Sequence, residues 1–278
     1  MRALRGVPVR EALDSAVVAL SAAGVDTPRL DAEVLLAHAL GVDRTRLVLE
    51  RDRPVEGPAV RAFQDAVRRR AVAREPVAYI TGVRGFRRLD VHVDSRVLIP
   101  RPETETLVEA ALDLPPGTCV VDVGTGSGAV ALALKDERPD LDVIGTDRSA
   151  EALAVARANA ARLGLDVAFV EGDLLEAPGV DAVDAVVSNP PYVEDGAPLQ
   201  PEIARHEPPV ALYAGADGLA VIRRLVAQAA ASPARFVALE VGMGQAADVA
   251  DVLAAAGFGA IEMRRDLAGI ERVVVARR

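Results

Sequence analysis

The chain has 278 residues, 51% of them hydrophobic and 26% charged, the balance of a globular protein of one or two domains. No apolar run reaches the roughly 18 residues of a membrane-spanning helix, and the N-terminal MRALRGVPVR has three arginines with no apolar core behind them, so neither a membrane span nor a secretory signal is expected. Net charge is −9, and a single cysteine, Cys119, excludes an internal disulfide and points to a reducing compartment, the cytoplasm.

The charge is uneven. Residues 1–80 hold 13 Arg against 11 Asp and Glu, and the remainder holds 19 Lys and Arg against 30 Asp and Glu. An acidic second part argues against a nonspecific grip on a phosphate backbone, so no stable nucleic-acid complex is expected.

The first segment, residues 1–78, predicts helices. Glu11 to Ala23 has apolar residues at helical spacing and stops at Gly24. Asp26-Thr27-Pro28 opens a second helix through RLDAEVLLAHAL to Gly41. A third runs from about Gly57 to Ala73. Such a bundle suits a recognition module, or a scaffold covering the edge of the next domain. Arg68-Arg69-Arg70 reads as a solvated helix face ahead of one that meets ribosomal RNA or a protein partner.

Residues 79–104 change character. Phe86, Leu89, Val91 and Val93, punctuated by Gly82 and Gly85, predict a hairpin-like connector. From 105 to 278 the pattern alternates. Strands are expected at 119–124, 142–147, 167–173, 184–189, 235–242 and 271–277, with helices after the first two. That order implies parallel strands with crossover helices, a doubly wound α/β sheet.

VVDVGTGSGAVALAL carries the first chemical signal. A strand ends at Gly124, a Gly-rich turn follows, and a helix opens. Glycines at 124, 126 and 128 allow a sharp turn and close approach of a ligand at a carboxyl strand end. Taken alone, 124–129 also fits a dinucleotide site. Asp147 ends the second strand, suited to ribose hydroxyls or to capping the next helix. Asp173 ends the third, where an adenine amino group is read, or serves as a loop residue. A Gly-rich turn and two acids on successive strand ends fit the class I methyltransferase pattern.

The fourth strand ends in Ser188-Asn189-Pro190-Pro191-Tyr192. An amide nitrogen is a poor nucleophile because its lone pair is delocalised into the carbonyl. It accepts a methyl group when two acceptors hold its N–H groups and turn the lone pair toward the methyl. The Asn189 side-chain carbonyl supplies one acceptor. The Pro190 carbonyl supplies the other, pre-aimed because Pro190 has fixed φ and Pro191 restricts its ψ. Tyr192 can lie on the flat substrate group and exclude water.

Asn-Pro-Pro-Tyr after such a turn resembles amino-methyltransferases acting on adenine, guanine or glutamine amide nitrogens. EPVAYITGVRGF (75–86), VLIPRPETETLVE (97–109), HEPPVALYAGADGL (206–219) and LEVGMGQ (239–245) narrow the resemblance to the release factor glutamine methyltransferases, the HemK type. It covers the chain from about residue 8. It implies a small all-α N-terminal domain that recognises the release factor. A Rossmann-like class I S-adenosylmethionine methyltransferase fold with a seven-stranded mixed sheet follows.

The same resemblance implies N5-methylation of the glutamine in the Gly-Gly-Gln loop. S-adenosylmethionine contacts are then expected at Gly124, Thr125, Gly126, Ser127, Gly128, Asp147, Asp173, Leu174 and Asn189. Glutamine contacts are expected at Asn189, Pro190, Pro191 and Tyr192, with Phe86 and Arg101 bordering the pocket. Some members carry Trp where this chain has Leu174, whose aliphatic side chain can still pack on adenine.

The other readings are plainer. His38, His92 and His206 have no metal-ligand spacing, and no metal is expected. Glu240 supports the pocket or is a polar strand end. A monomer is expected. The rival enzyme is a nucleic-acid adenine or guanine amino-methyltransferase. A dinucleotide-dependent oxidoreductase leaves 189–192 unexplained, and intact pocket acids with an intact tetrapeptide argue against a noncatalytic binding module.

Overall fold

The computed structural model describes residues 6–180 and 182–278. The chain divides into two compact units, Met1–Gly82 with Gln200–His206, and Val83–Leu199 with Glu207–Arg278. The first five residues of the expected 1–78 segment lie outside the described residues.

The first unit is helical. A bridge of β1 (Val7–Pro8) with β2 (Pro54–Val55) flanks α1 (Val9–Ala22), α2 (Pro28–Leu40) and α3 (Arg44–Leu49). Then come α4 (Pro58–Arg68), one π turn (Arg69–Ala73) and α5 (Val77–Thr81). Pro28 opens α2, and Gly41 stops it at φ 64°. Asp43 caps α3, accepting from the Arg46 amide at 2.9 Å. Leu13 and Leu20 of α1 meet Leu35 and Leu36 of α2 and Phe63 of α4 in one core. Each such burial contributes about 2 kcal/mol.

Two sequence expectations are corrected here. The unit continues to Gly82 because α5 adds one more buried turn through Ile80. Arg70 is not solvated. It is buried, donating to Asp31 at 2.7 Å and to Glu202 at 2.8 Å. Glu202 lies on a helix more than a hundred residues later, a partner that local sequence cannot announce.

The second unit opens with a hairpin, β3 (Val83–Phe86) against β4 (Leu89–His92). A single-turn segment (Pro102–Thr104) leads into α6 (Glu105–Ala111). There follow β5 (Cys119–Val123), α7 (Ala129–Glu137), β6 (Asp142–Asp147), α8 (Ala150–Leu163), β7 (Ala168–Glu171) and β8 (Ala185–Ser188). α9 (Pro201–His206) belongs to the first unit. The chain then closes with α10 (Ala220–Ala231), β9 (Phe236–Glu240), α11 (Ala246–Ala255), β10 (Gly259–Arg265) and β11 (Glu271–Arg277).

The seven strands form one mixed sheet in the order β10-β11-β9-β8-β5-β6-β7. β5 to β9 are parallel, and at one edge β11 alone is reversed, antiparallel to both β9 and β10. The central parallel strands β5, β8 and β9 are largely apolar and buried, as strands covered on both faces must be. Six strands fall where the sequence pattern predicts them. β10 is the exception, because its residues are mostly exposed and carry no alternation.

Candidate active site

β5 and β8 are neighbours, with Val123 opposite Ser188, and the Ser188 hydroxyl donates to the Val123 carbonyl at 2.7 Å. The turn leaving β5 and the loop leaving β8 therefore start side by side. The strand order reverses here, since β5 leads to β6 on one side and meets β8 on the other. Open α/β sheets form their ligand crevice at such a point.

Gly124, Gly126 and Gly128 have φ of 71°, 54° and 83°, a turn that side chains would strain. Asp122 beneath it fixes its shape, accepting from the Thr125 hydroxyl at 2.6 Å and the Ala131 amide at 3.2 Å. Burial pushes the Asp122 carboxyl up to about 7, and those two bonds offset part of the rise. A Cβ on Gly124 would meet nothing within 4 Å, so the cleft floor is bare backbone there.

Asp147 accepts from the Gly126 amide at 3.0 Å and the Ser149 amide at 2.9 Å, which locks it beside the turn. Burial raises its pKa, against those backbone donors. Asp147 is not the helix cap. Ser149 is, accepting from the Ala152 amide at 3.1 Å.

Asp173 does not end the third strand. The β6–β7 ladder stops at Asp147 opposite Glu171, and Asp173 lies beyond it, paired with Arg224 at 2.6 Å. Leu174 has a left-handed backbone, φ 61°, which costs a non-glycine residue on the order of 1 kcal/mol. Its neighbours hold it there. The Thr146 hydroxyl donates to its carbonyl at 3.0 Å, and the next amide donates to Gln228 at 2.9 Å.

The Asn189 side-chain nitrogen donates to the Thr104 hydroxyl at 3.2 Å. Its carbonyl oxygen is thereby turned away from Thr104. The loop that follows is held from several sides. The Tyr192 hydroxyl donates to Glu240 at 3.3 Å. Burial, then the Glu240 charge, holds the Tyr192 phenol well above its ordinary pKa, so it remains a donor. Gly218 passes so close that a Cβ there would lie 2.4 Å from the Tyr192 carbonyl oxygen. Val193 is bridged to Tyr213.

One cleft is lined by Gly124, Gly126, Asp147, Asp173, Leu174, Asn189 and Pro191. The other expected residues do not line it. Thr125 and Ser127 are buried beneath the turn, Gly128 is the N-cap of α7, and Pro190 is buried. Tyr192 is directed to Glu240. Phe86 is fully buried in its hairpin, and Arg101 is held by Glu207 at 2.6 Å.

Residues not read from the sequence also take part. Arg96, Arg148, Tyr213 and Arg224 line the cleft. Asn159, fully buried, donates from one nitrogen to Ser127 and His92, both at 2.9 Å, tying the Gly-rich turn to the hairpin. A lone Asn on an otherwise apolar helix face was the available signal.

The family model described as PrmC N-terminal domain matches residues 11–82, and that described as Methyltransferase small domain matches 102–206. Among solved structures, a methyltransferase from Pyrococcus furiosus superposes with a TM-score of 0.52 at 16% identity, covering 68% of this chain and 88% of that one. The hMettl16 catalytic domain in complex with the MAT2A 3'UTR hairpin 6 gives 0.55 at 14%, covering 79% and 81%. At such identities these share the fold alone. The release factor glutamine methyltransferase of Deinococcus radiodurans is 45% identical over 97% of this chain and 98% of its own length. That of Rhodospirillum rubrum is 43% identical over 96% and 84%. With the switch-point cleft, the Asn-Pro-Pro-Tyr loop beside it and relatives of this identity along nearly its whole length, the chain belongs to the release factor glutamine methyltransferase family.

Proposed function

We propose that this protein transfers a methyl group from S-adenosyl-L-methionine to the side-chain amide nitrogen, N5, of the glutamine in the Gly-Gly-Gln motif of peptide-chain release factors. The observation that carries the reading is the adjacency of the glycine turn and Asn189, with the Asn189 nitrogen engaged by Thr104. The relatives named above bear this activity in their names and lend the nucleic-acid alternative no support.

The cleft fits the cofactor. Bare backbone at Gly124 leaves room for a ligand, and the Asp147 carboxylate accepts from the backbone amides of Gly126, Ser149 and Arg148. A carboxylate offers about four acceptor sites, so capacity remains for a ribose hydroxyl. Leu174 and Asp173 are assigned to the adenine, and the Gly124–Gly128 turn, with Thr125 and Ser127, to the amino-acid end. Bound there, S-adenosylmethionine supplies an electrophilic methyl on a sulfonium sulfur.

The chain's own task is orientation. Asn189 Oδ1 and the Pro190 carbonyl accept the two N–H groups of the glutamine amide, which turns its lone pair toward the methyl. Pro191 keeps that carbonyl aimed, and Tyr192 stiffens the loop against β9. Phe86 and Arg101 are assigned to the approach of the Gly-Gly-Gln loop. The helical unit is assigned to release factor recognition, in a cytoplasmic monomer without stable nucleic-acid binding.

Mass spectrometry of a purified release factor, after incubation with enzyme and cofactor, tests the reading. One added methyl on the Gly-Gly-Gln peptide is expected, and none with Asn189→Ala. Methylation that survives this substitution removes Asn189 from its role.

A further inference from the structure

Glu240 ends β9 among Phe236, Val237, Ala238 and Leu239, all buried, and is itself 1% exposed. A carboxylate there is costly. Burial pushes it up to about 7, Glu103 adds to the rise, and Arg272 opposes it only weakly. Oε2 has no hydrogen-bond partner of standard geometry among the described residues. A residue kept at such a cost without a close ion pair contributes something other than stability.

Two hydroxyls face this carboxylate. Tyr192 donates to Oε1 at 3.3 Å, and hydrogen bonding by the Thr104 hydroxyl also favours the ionised form. Thr104 has one proton to give. When it is directed to Glu240, the Thr104 oxygen is left as an acceptor, and the Asn189 nitrogen takes it at 3.2 Å. An amide's two ends are nearly equal in shape, so only the partner's polarity decides which way it faces.

We propose that Glu240 is a positioning residue: by accepting from Thr104 and Tyr192 it sets the Asn189 amide with its oxygen, not its nitrogen, toward the methyl acceptor. The inference rests on the glutamine-amide reading above. Without Glu240 the Thr104 proton is free to point at Asn189 Oδ1. The amide then turns over, and an N–H donor meets the N–H groups of the substrate. Glu240 touches no substrate and acts through its neighbours.

The test compares Glu240→Leu, Thr104→Val, their double variant and the conservative Thr104→Ser. Glu240→Leu and Thr104→Val are each expected to lower kcat on a release factor by about tenfold or more, with KM and S-adenosylmethionine affinity within about threefold. The double variant is expected to be no worse than the weaker single, and Thr104→Ser to keep near-native turnover. Independently of activity, NMR is expected to register faster hydrogen exchange at the Asn189 side-chain amide in the two single variants. Wild-type kcat in Glu240→Leu, losses that multiply in the double variant, or unchanged exchange overturns the proposal. Should Glu240→Leu fail to fold, the contrast between Thr104→Val and Thr104→Ser decides. If the unaltered enzyme leaves the release factor unmethylated, the glutamine reading fails, while the exchange measurement still decides the role of Glu240.

Discussion

Gln245 holds Tyr192 by its backbone. Its side-chain nitrogen donates to the Tyr192 carbonyl at 3.0 Å, and its side-chain oxygen accepts from the Gly242 amide at 2.9 Å. One planar amide thus spans two loops, those leaving β8 and β9. Gln245→Ala removes both bonds and lets the Asn-Pro-Pro-Tyr loop drift. Turnover is expected to fall about tenfold or more, because small displacements are amplified in an orientation-based reaction. Single-turnover kinetics beside a melting curve separate this from a loss of folding.

Asp147 accepts from the Gly126 and Ser149 amides and lines the cleft proposed for the cofactor. Asp147→Ala removes the acceptor for both Gly126 and Ser149. S-adenosylmethionine affinity is expected to weaken by about tenfold to a hundredfold, the scale of one or two charge-assisted hydrogen bonds. Isothermal titration reads this directly. An affinity equal to that of the unaltered protein would take Asp147 out of the site.

Stability should depend on pH in a defined direction. Asp122 and Glu240 are both pushed to about 7 by burial, above ordinary values of 3.8 and 4.5. The folded state therefore holds protons that the unfolded chain has released. That contribution is full below about pH 4 and is lost as pH rises through about 7. Unfolding free energy is expected to decline by an amount on the order of a few kcal/mol between about pH 5 and 8. Urea titrations at several pH values should find a flatter profile in Asp122→Asn. An equally steep decline in that variant would contradict the assignment.

Gly145 on β6 underlies the glycine turn. A Cβ there would lie 2.6 Å from the Phe169 ring and 2.9 Å from the Thr125 hydroxyl oxygen. Both neighbours are buried and have little room to give. Gly145→Ala is expected to cost about 1–3 kcal/mol in thermal or urea unfolding, the range of an overpacked core. It should also weaken cofactor binding, since Thr125 is the residue through which Asp122 fixes the turn.

In the helical unit, Arg70 lies between Asp31 and Glu202, all of them largely buried. Arg70→Ala leaves Asp31 without its cation and Glu202 with Arg74 alone at 2.6 Å, a loss of about 3–5 kcal/mol when a buried pair is broken. Hydrogen exchange is expected to rise first in α2 and α9. Protection unchanged in both helices would refute the role of this cluster.

The sequence by itself determined the local pieces. The glycine turn after β5, the acid ending β6, the helix start at Thr27-Pro28 and the rigid Asn-Pro-Pro-Tyr loop all follow from neighbouring residues. Periodicity, positive φ and ring constraint act over only a few positions. α3, α5 and β10 were not legible, being short or exposed on both faces, so that burial left no pattern in them.

Tertiary structure alone decided what meets what. It paired β8 with β5, set Thr104 against Asn189 across 85 residues, and gave Arg70 a partner 132 residues away. It also directed Tyr192 to Glu240 and Phe86 into its own core. Such choices belong to the packing of the whole sheet and its helices. A polar side chain's partner is whichever buried group the fold brings within about 3 Å, and local sequence holds no record of that distance.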